Sequence, residues 1–232
     1  EHATAYDAML AMATHGIRHV PVTDAEGRLT GIVTERDLFA LQRVALRQIR
    51  QSIESAEDVA ALKQAAADVR QLSFNMLAQG IGAEQLTQFI SALNDALTRR
   101  VIQLALDHHD FSGVEWAWLA FGSEGRDEQT FSTDQDNGIV FVAPDKDSVD
   151  ELRKRFLAFA KDVNKDLDRC GFPLCKGNIM ASNPQWCLTL KEWKNQFAAW
   201  VRTPEPEALL NASIFFDFRS LYGKVELADA MR

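Results

Sequence analysis

Two aspartates separated by a single residue, Asp134 and Asp136, stand near the end of the run Phe121-Gly122-Ser123-Glu124-Gly125-Arg126-Asp127-Glu128-Gln129-Thr130-Phe131-Ser132-Thr133-Asp134-Gln135-Asp136-Asn137. On an extended segment, residues two apart point to one face. The two carboxylates would then repel each other unless a cation lies between them. A pair of magnesium ions, bound through carboxylate oxygens and the phosphates of a substrate, suits that position. Gly122 lets the backbone pass close to a phosphate, and Ser123 adds a hydroxyl and an N–H at a helix start. Arg126 offers a fixed positive fork to the same group. Glu128 fits either of two roles, bracing Arg126 or joining the metal shell.

The elements that must hold these residues follow from the hydrophobic pattern. Residues 114–121 and 137–142 read as strands, with the polar, glycine-containing run between them. An amphipathic helix is expected over 148–168, a third strand over 177–182 and another helix over 189–201. Residues 205–232 read as helix. Trp116 and Trp118 alternate with Ala117 and Leu119, so both rings should face the same packing surface. Trp186, Trp193 and Trp200 recur every seven residues, a helical stripe that reads as core. Residues 41–110 contain no proline and only Gly80 and Gly82, and apolar residues at spacings of three and four predict about three helices, joined at Ser55-Ala56 and at 80–82. His108 and His109, at the end of this bundle, would point in different directions and share no metal. Cys170, Cys175 and Cys187 form no CxxC pair and read as small core residues.

Residues 1–40 have a separate texture. Thr4 can cap a helix that Gly16 ends. Residues 19–22 and 29–33 form a hairpin across Asp24-Ala25-Glu26-Gly27, and Thr34 caps the next helix. The run from Ile17 to Asp24, then from Gly27 to Leu38, resembles the C-terminal part of a CBS domain, with Gly31, Ile32, Thr34 and Asp37 at the family's Gly-hydrophobic-x-Ser/Thr-x-x-Asp positions. The resemblance implies adenosine-nucleotide sensing by paired CBS modules, with Thr34 and Asp37 at the nucleotide. The bare residues read equally as a helix cap and a first-turn acid.

The arrangement Gly-Ser-x-Gly-Arg-x-Glu-x(5)-Asp-x-Asp between two strands resembles the polymerase-beta-like nucleotidyltransferase superfamily. Its nearest likeness there is to the branch of PII-protein uridylyltransferase and glutamine-synthetase adenylyltransferase. Residues 41–232 look like the nucleotidyltransferase domain that follows CBS domains in bacterial signalling proteins. The run Phe216-Asp217-Phe218-Arg219-Ser220-Leu221-Tyr222-Gly223 supports this, because a similar Asp-x-Arg-x-x-x-Gly run follows the catalytic domain in that branch. The resemblance implies that Asp134 and Asp136 are catalytic ligands of two magnesium ions, that Gly122 and Ser123 hold a nucleoside triphosphate, and that a protein or small-molecule acceptor attacks its α-phosphorus. One departure stands out. Superfamily members commonly carry a third carboxylate on a later strand, whereas residues 177–183 here contain no acid. A non-catalytic nucleotide-sensing module with a degenerate transferase fold is the alternative.

The expected fold class is α+β: a partial CBS module at 1–40, a helical bundle at 41–110, a small mixed sheet flanked by helices at 111–202, and the start of a helical region at 203–232. The 232 residues carry 33 acidic against 25 basic side chains, a net charge of -8 that argues against a protein built to coat nucleic acid or an anionic membrane. No apolar run is long enough for a membrane span, and three cysteines without a framework suit a reducing cytoplasm. The bundle suggests a homodimer, and the opening Glu1 suggests a fragment of a longer chain.

Overall fold

The computed structural model describes residues 3–78, 80–145, 148–202 and 214–232. Helix α1 (Ala5–His15) starts at a reciprocal cap in which Thr4 and Asp7 satisfy each other's backbone N–H, and it ends at left-handed Gly16. Strands β1 (His19–Thr23) and β2 (Leu29–Thr34) pair antiparallel as an isolated hairpin. Thr34 and Asp37 repeat the same reciprocal cap at the start of α2 (Glu35–Glu54). The long helices α2, α3 (Val59–Ala78) and α4 (Ala83–Leu106) form the bundle, with the expected joints.

Strand β3 (Glu115–Phe121) leads into the four-residue helix α5 (Gly122–Gly125), and β4 (Asn137–Val142) returns antiparallel to β3. Helix α6 (Val149–Arg169) follows, then the short strand β5 (Cys187–Thr189), α7 (Leu190–Arg202), β6 (Phe218–Gly223) and α8 (Val225–Met231). The sheet order is β5-β4-β3-β6, with β4 and β5 parallel and both other pairs antiparallel. The fold is therefore α+β, a mixed sheet flanked by helices.

Strand β3 separates two cores. Its Trp116, Trp118 and Ala120 pack with Leu97, Val101 and Ile102 of the bundle and with Phe156 and Phe159 of α6. Its Ala117, Leu119 and Phe121 pack on the other side with Trp186, Trp193, Phe197, Trp200 and Phe215. The alternation seen in the sequence is thus realised, one face to each core. The three tryptophans of the seven-residue repeat share the second core, although Trp186 sits on a short turn before α7 rather than on the helix itself.

Two expected elements differ. Residues 177–182 are not a strand: Asn178 takes a left-handed backbone with φ 56°, and the third strand forms ten residues later at β5. The segment is instead tied across the start of β4, where Asn137 N–H donates to the Ile179 carbonyl and Asn137 Oδ1 accepts from the Ala181 N–H. The tail expected to be helical contains β6, hydrogen-bonded to β3; residues 205–213 of that expectation lie outside the described residues. A register shift opposite Trp118 and Leu119 puts both Leu221 and Tyr222 on the bundle side, which breaks the period-2 signature of the strand.

Candidate functional site

The informative run becomes a turn packed over the edge of the sheet. Gly122 has φ 55°, and a β-carbon there would lie 3.6 Å from Asp136 Oδ2. The space would admit a methyl group; the left-handed backbone is what requires glycine. Gly125 is constrained differently, because a β-carbon would lie 2.2 Å from the Asp217 carbonyl oxygen and 3.1 Å from that of Ala120. Helix α5 therefore rests directly on the backbone of the segment entering β6.

Asp134 and Asp136 lie in the extended segment just before β4, and the Phe121 N–H donates to the Asp136 carbonyl at 2.9 Å, so the end of β3 fixes the second aspartate. Asp134 is exposed and Asp136 half-buried. Between them Gln135 turns inward: its amide donates to the carbonyls of Asn164 and Phe172 and its Oε1 accepts from Asn164 Nδ2. This buried anchor leaves its two acidic neighbours facing away from α6, on one side. Burial raises the Asp136 carboxyl above its ordinary range, the Asp134 charge adds to the rise, and a hydrogen bond from Cys175 opposes it.

Cys175 is the residue that sequence reasoning missed. Its thiol donates to Asp136 Oδ1 at 3.2 Å, and ligand atoms of Asp134, Asp136 and Cys175 all lie within 4.8 Å of one another. Two carboxylate oxygens and a sulfur at this spacing fit a divalent cation. Nothing in the local sequence pairs Cys175 with the aspartates, since the contact spans thirty-nine positions. Cys170 and Cys187 are the buried core residues expected, and burial pushes their thiols up to about 11 and about 12.

Arg126 and Glu128 resolve one ambiguity. Arg126 Nε donates to Glu128 Oε2 at 2.7 Å and its Nη1 to Asp217 Oδ2 at 3.0 Å, so Glu128 braces the arginine. Arg126, Asp127 and Glu128 line a cavity of about 1150 Å³ against α2 and α4, and none of Asp134, Asp136 and Cys175 lines it. The structure thus brings Gly122, Asp134 and Asp136 together, with half-buried Ser123 next along the chain, while Arg126 is engaged on the α2–α4 side.

The Asp-x-Arg run of the tail has a structural role. Asp217 holds Arg126, and Arg219 makes a two-pronged ion pair with Asp95 of α4, both contacts at 2.7 Å. The same guanidinium donates to the Glu124 carbonyl and pairs with Asp127 at 2.8 Å. Arg219 therefore ties the turn after α5 to the bundle.

Residues 67–207 match the model of a family described as "Putative nucleotidyltransferase DUF294". That is more than half of the chain, and it contains the whole of the turn, both aspartates and Cys175. The chain belongs to this family. Residues 1–43 match the CBS domain, so a CBS domain precedes the nucleotidyltransferase domain. No curated protein matches the chain. In the CBS segment, Thr34 Oγ1 donates to Asp37 Oδ2 at 2.7 Å and accepts from the Asp37 N–H, so the two residues form the helix cap that the bare sequence allowed. Among the described residues no helix is long and apolar enough to cross a membrane.

Proposed function

We propose that the chain transfers a nucleotidyl group from a magnesium-bound nucleoside triphosphate to a protein or small-molecule acceptor, in the manner of a uridylyl- or adenylyltransferase, under control of its CBS segment. The observation that supports this reading is the closeness of the Gly122 turn to Asp136: the Phe121 N–H donates to the Asp136 carbonyl at 2.9 Å, and a β-carbon on Gly122 would lie 3.6 Å from Asp136 Oδ2. Divalent cations held by Asp134 and Asp136 would supply charge neutralisation at the phosphates and polarise the attacked phosphorus. Gly122 and Ser123 would receive phosphate oxygens through backbone N–H groups and the serine hydroxyl. Contact of Arg126 with a phosphate would require it to exchange Glu128 or Asp217 for the new partner. In the reaction the acceptor hydroxyl oxygen forms a bond to the α-phosphorus as its O–H bond breaks and the proton passes to solvent, the α-phosphorus bond to the bridging oxygen breaks, and pyrophosphate leaves. At the CBS segment, Thr34 and Asp37 would meet an adenosine nucleotide by giving up part of their mutual cap.

A second reading, nucleotide binding without turnover, draws on the thiol that stands beside the aspartates where a carboxylate would be unremarkable. Two measurements separate these readings. With the full-length chain, magnesium, each of the four nucleotides and cell extract as acceptor source, pyrophosphate release is expected; its absence with nucleotide binding intact leaves the second reading. By calorimetry, Asp134→Asn combined with Asp136→Asn is expected to abolish magnesium-dependent nucleotide binding, and an unchanged affinity would remove both readings.

A further inference from the structure

We propose that Cys175 is a direct ligand in the metal shell, and that the site therefore prefers thiophilic divalent cations, of the zinc and cadmium kind, over magnesium. The inference rests on the reading that Asp134 and Asp136 hold divalent cations, and it adds which cations.

The sulfur is placed for this by its own loop. The Asn178 N–H donates to the Cys175 carbonyl at 3.0 Å, closing a turn whose fourth residue is held left-handed at φ 56°. The Asn178 carbonyl in turn accepts from Trp186 Nε1 at 3.1 Å and from Asn183 Nδ2 at 3.0 Å, so the turn is pinned to the second core. Burial raises the Cys175 thiol above its ordinary range and the Asp136 carboxylate adds to the rise, consistent with the thiol donating to Asp136 Oδ1. A cation seated between the sulfur and the two carboxylates satisfies all three groups at once. The 4.8 Å limit on their mutual separation is close to the span of one ion with ligand bonds of about 2.0–2.3 Å.

Sulfur in the shell changes the order of preference among metals. Magnesium takes oxygen ligands in near-ideal octahedral geometry, while thiolates select softer ions. On coordination the S–H bond breaks, the sulfur–metal bond forms, and the proton passes to solvent; no electrons are exchanged.

The test uses the full chain titrated with cadmium chloride alone, followed by its ultraviolet sulfur-to-cadmium charge-transfer absorbance, and separately titrated with magnesium chloride. The wild type is expected to develop the absorbance. In Cys175→Ser, which nearly preserves side-chain size, the band should vanish and cadmium affinity should fall by at least about tenfold, with magnesium affinity unchanged within about twofold. Far-ultraviolet circular dichroism checks that the variant is folded, and Cys175→Ala should repeat the loss without leaving a hydroxyl as a substitute ligand. No band in the wild type, or a band that persists in both variants, overturns the inference. Asp134→Asn with Asp136→Asn keeps the two levels apart. Loss of magnesium-dependent nucleotide binding there, together with wild-type cadmium behaviour in Cys175→Ser, would sink the thiol ligand and leave the transferase reading standing.

Discussion

Glu124 shares the turn of Gly122 and Ser123, yet its carboxyl points into protein. Burial pushes it up to about 8 from an ordinary 4.5; Asp95 adds to the rise, Arg219 opposes it, and Asp136 and Asp127 add further. Between those two pH values the native state keeps a proton that the unfolded chain has released. Its contribution is therefore complete below about pH 4.5 and is lost as pH rises through about 8. Glu124→Gln is expected to flatten this dependence and to be the more stable protein at alkaline pH, by on the order of a few kcal/mol. Thermal melts of both proteins across that window decide it, and parallel curves would put the proton elsewhere. Gly122→Ala is the second test at this scale. With φ 55° and open space for a methyl group, it should cost about 1 kcal/mol of backbone strain and displace the turn facing Asp136, which a loss of nucleotide affinity beyond that of stability would reveal.

Helix α5 is a single turn and cannot hold itself in place; its neighbours position it. Gly125 lets it lie on the backbone entering β6, and Gly125→Ala would force an atom to within 2.2 Å of the Asp217 carbonyl oxygen. Backbone cannot swing aside as a side chain does, so the expected cost is about 1–3 kcal/mol, measured by denaturant midpoint. From the other end Arg219 binds Asp95, the Glu124 carbonyl and Asp127. Arg219→Met removes the guanidinium and leaves Asp95, whose side chain is 9% exposed, with Arg99 Nη2 at 3.2 Å as its remaining cationic partner. The expected loss is roughly 2 kcal/mol, and Asp95→Asn with Arg219→Met should recover part of it. Additive single effects would show that the pair is not coupled.

Across the whole molecule, β3 joins two cores through its opposite faces, and β6 covers its outer edge. The tail from 218 is thus part of the sheet rather than an appendage to a core ending near 202. A chain ending at residue 202 would lose Phe215, Phe218, Leu227 and Met231 from the second core and expose the β3 edge. Such a chain is expected to lose the sharp thermal transition of the full chain and to bind a hydrophobic dye; a cooperative transition equal to the full chain's would show that β6 is dispensable. The CBS segment, α1 with the β1–β2 hairpin, is different in kind. Leu10, Ile17, Val22, Leu29 and Ile32 are exposed there, between 42% and 63%, so this segment buries far less of its apolar surface than the sheet does.

Much of this was legible in local pattern. The period of Val59, Leu62, Ala66, Val69 and Leu72 gave α3, the alternation at Trp116 to Leu119 gave β3 and its two faces, and Thr4 and Thr34 marked helix starts, because each signal lies within one element's own repeat. Asp134 and Asp136 were legible as a pair for the same reason: two residues of separation place them together in any extended segment. The tertiary structure alone decided the rest. Cys175 reaches Asp136 across thirty-nine positions, and Arg219 reaches Asp95 across one hundred and twenty-four. The bulge in β6 erased the alternation that would have announced a strand. Sequence fixes chemistry that neighbours in the chain can share; a sulfur beside two carboxylates, or an arginine clamping a turn to a helix, exists only once packing has brought distant segments to the same place.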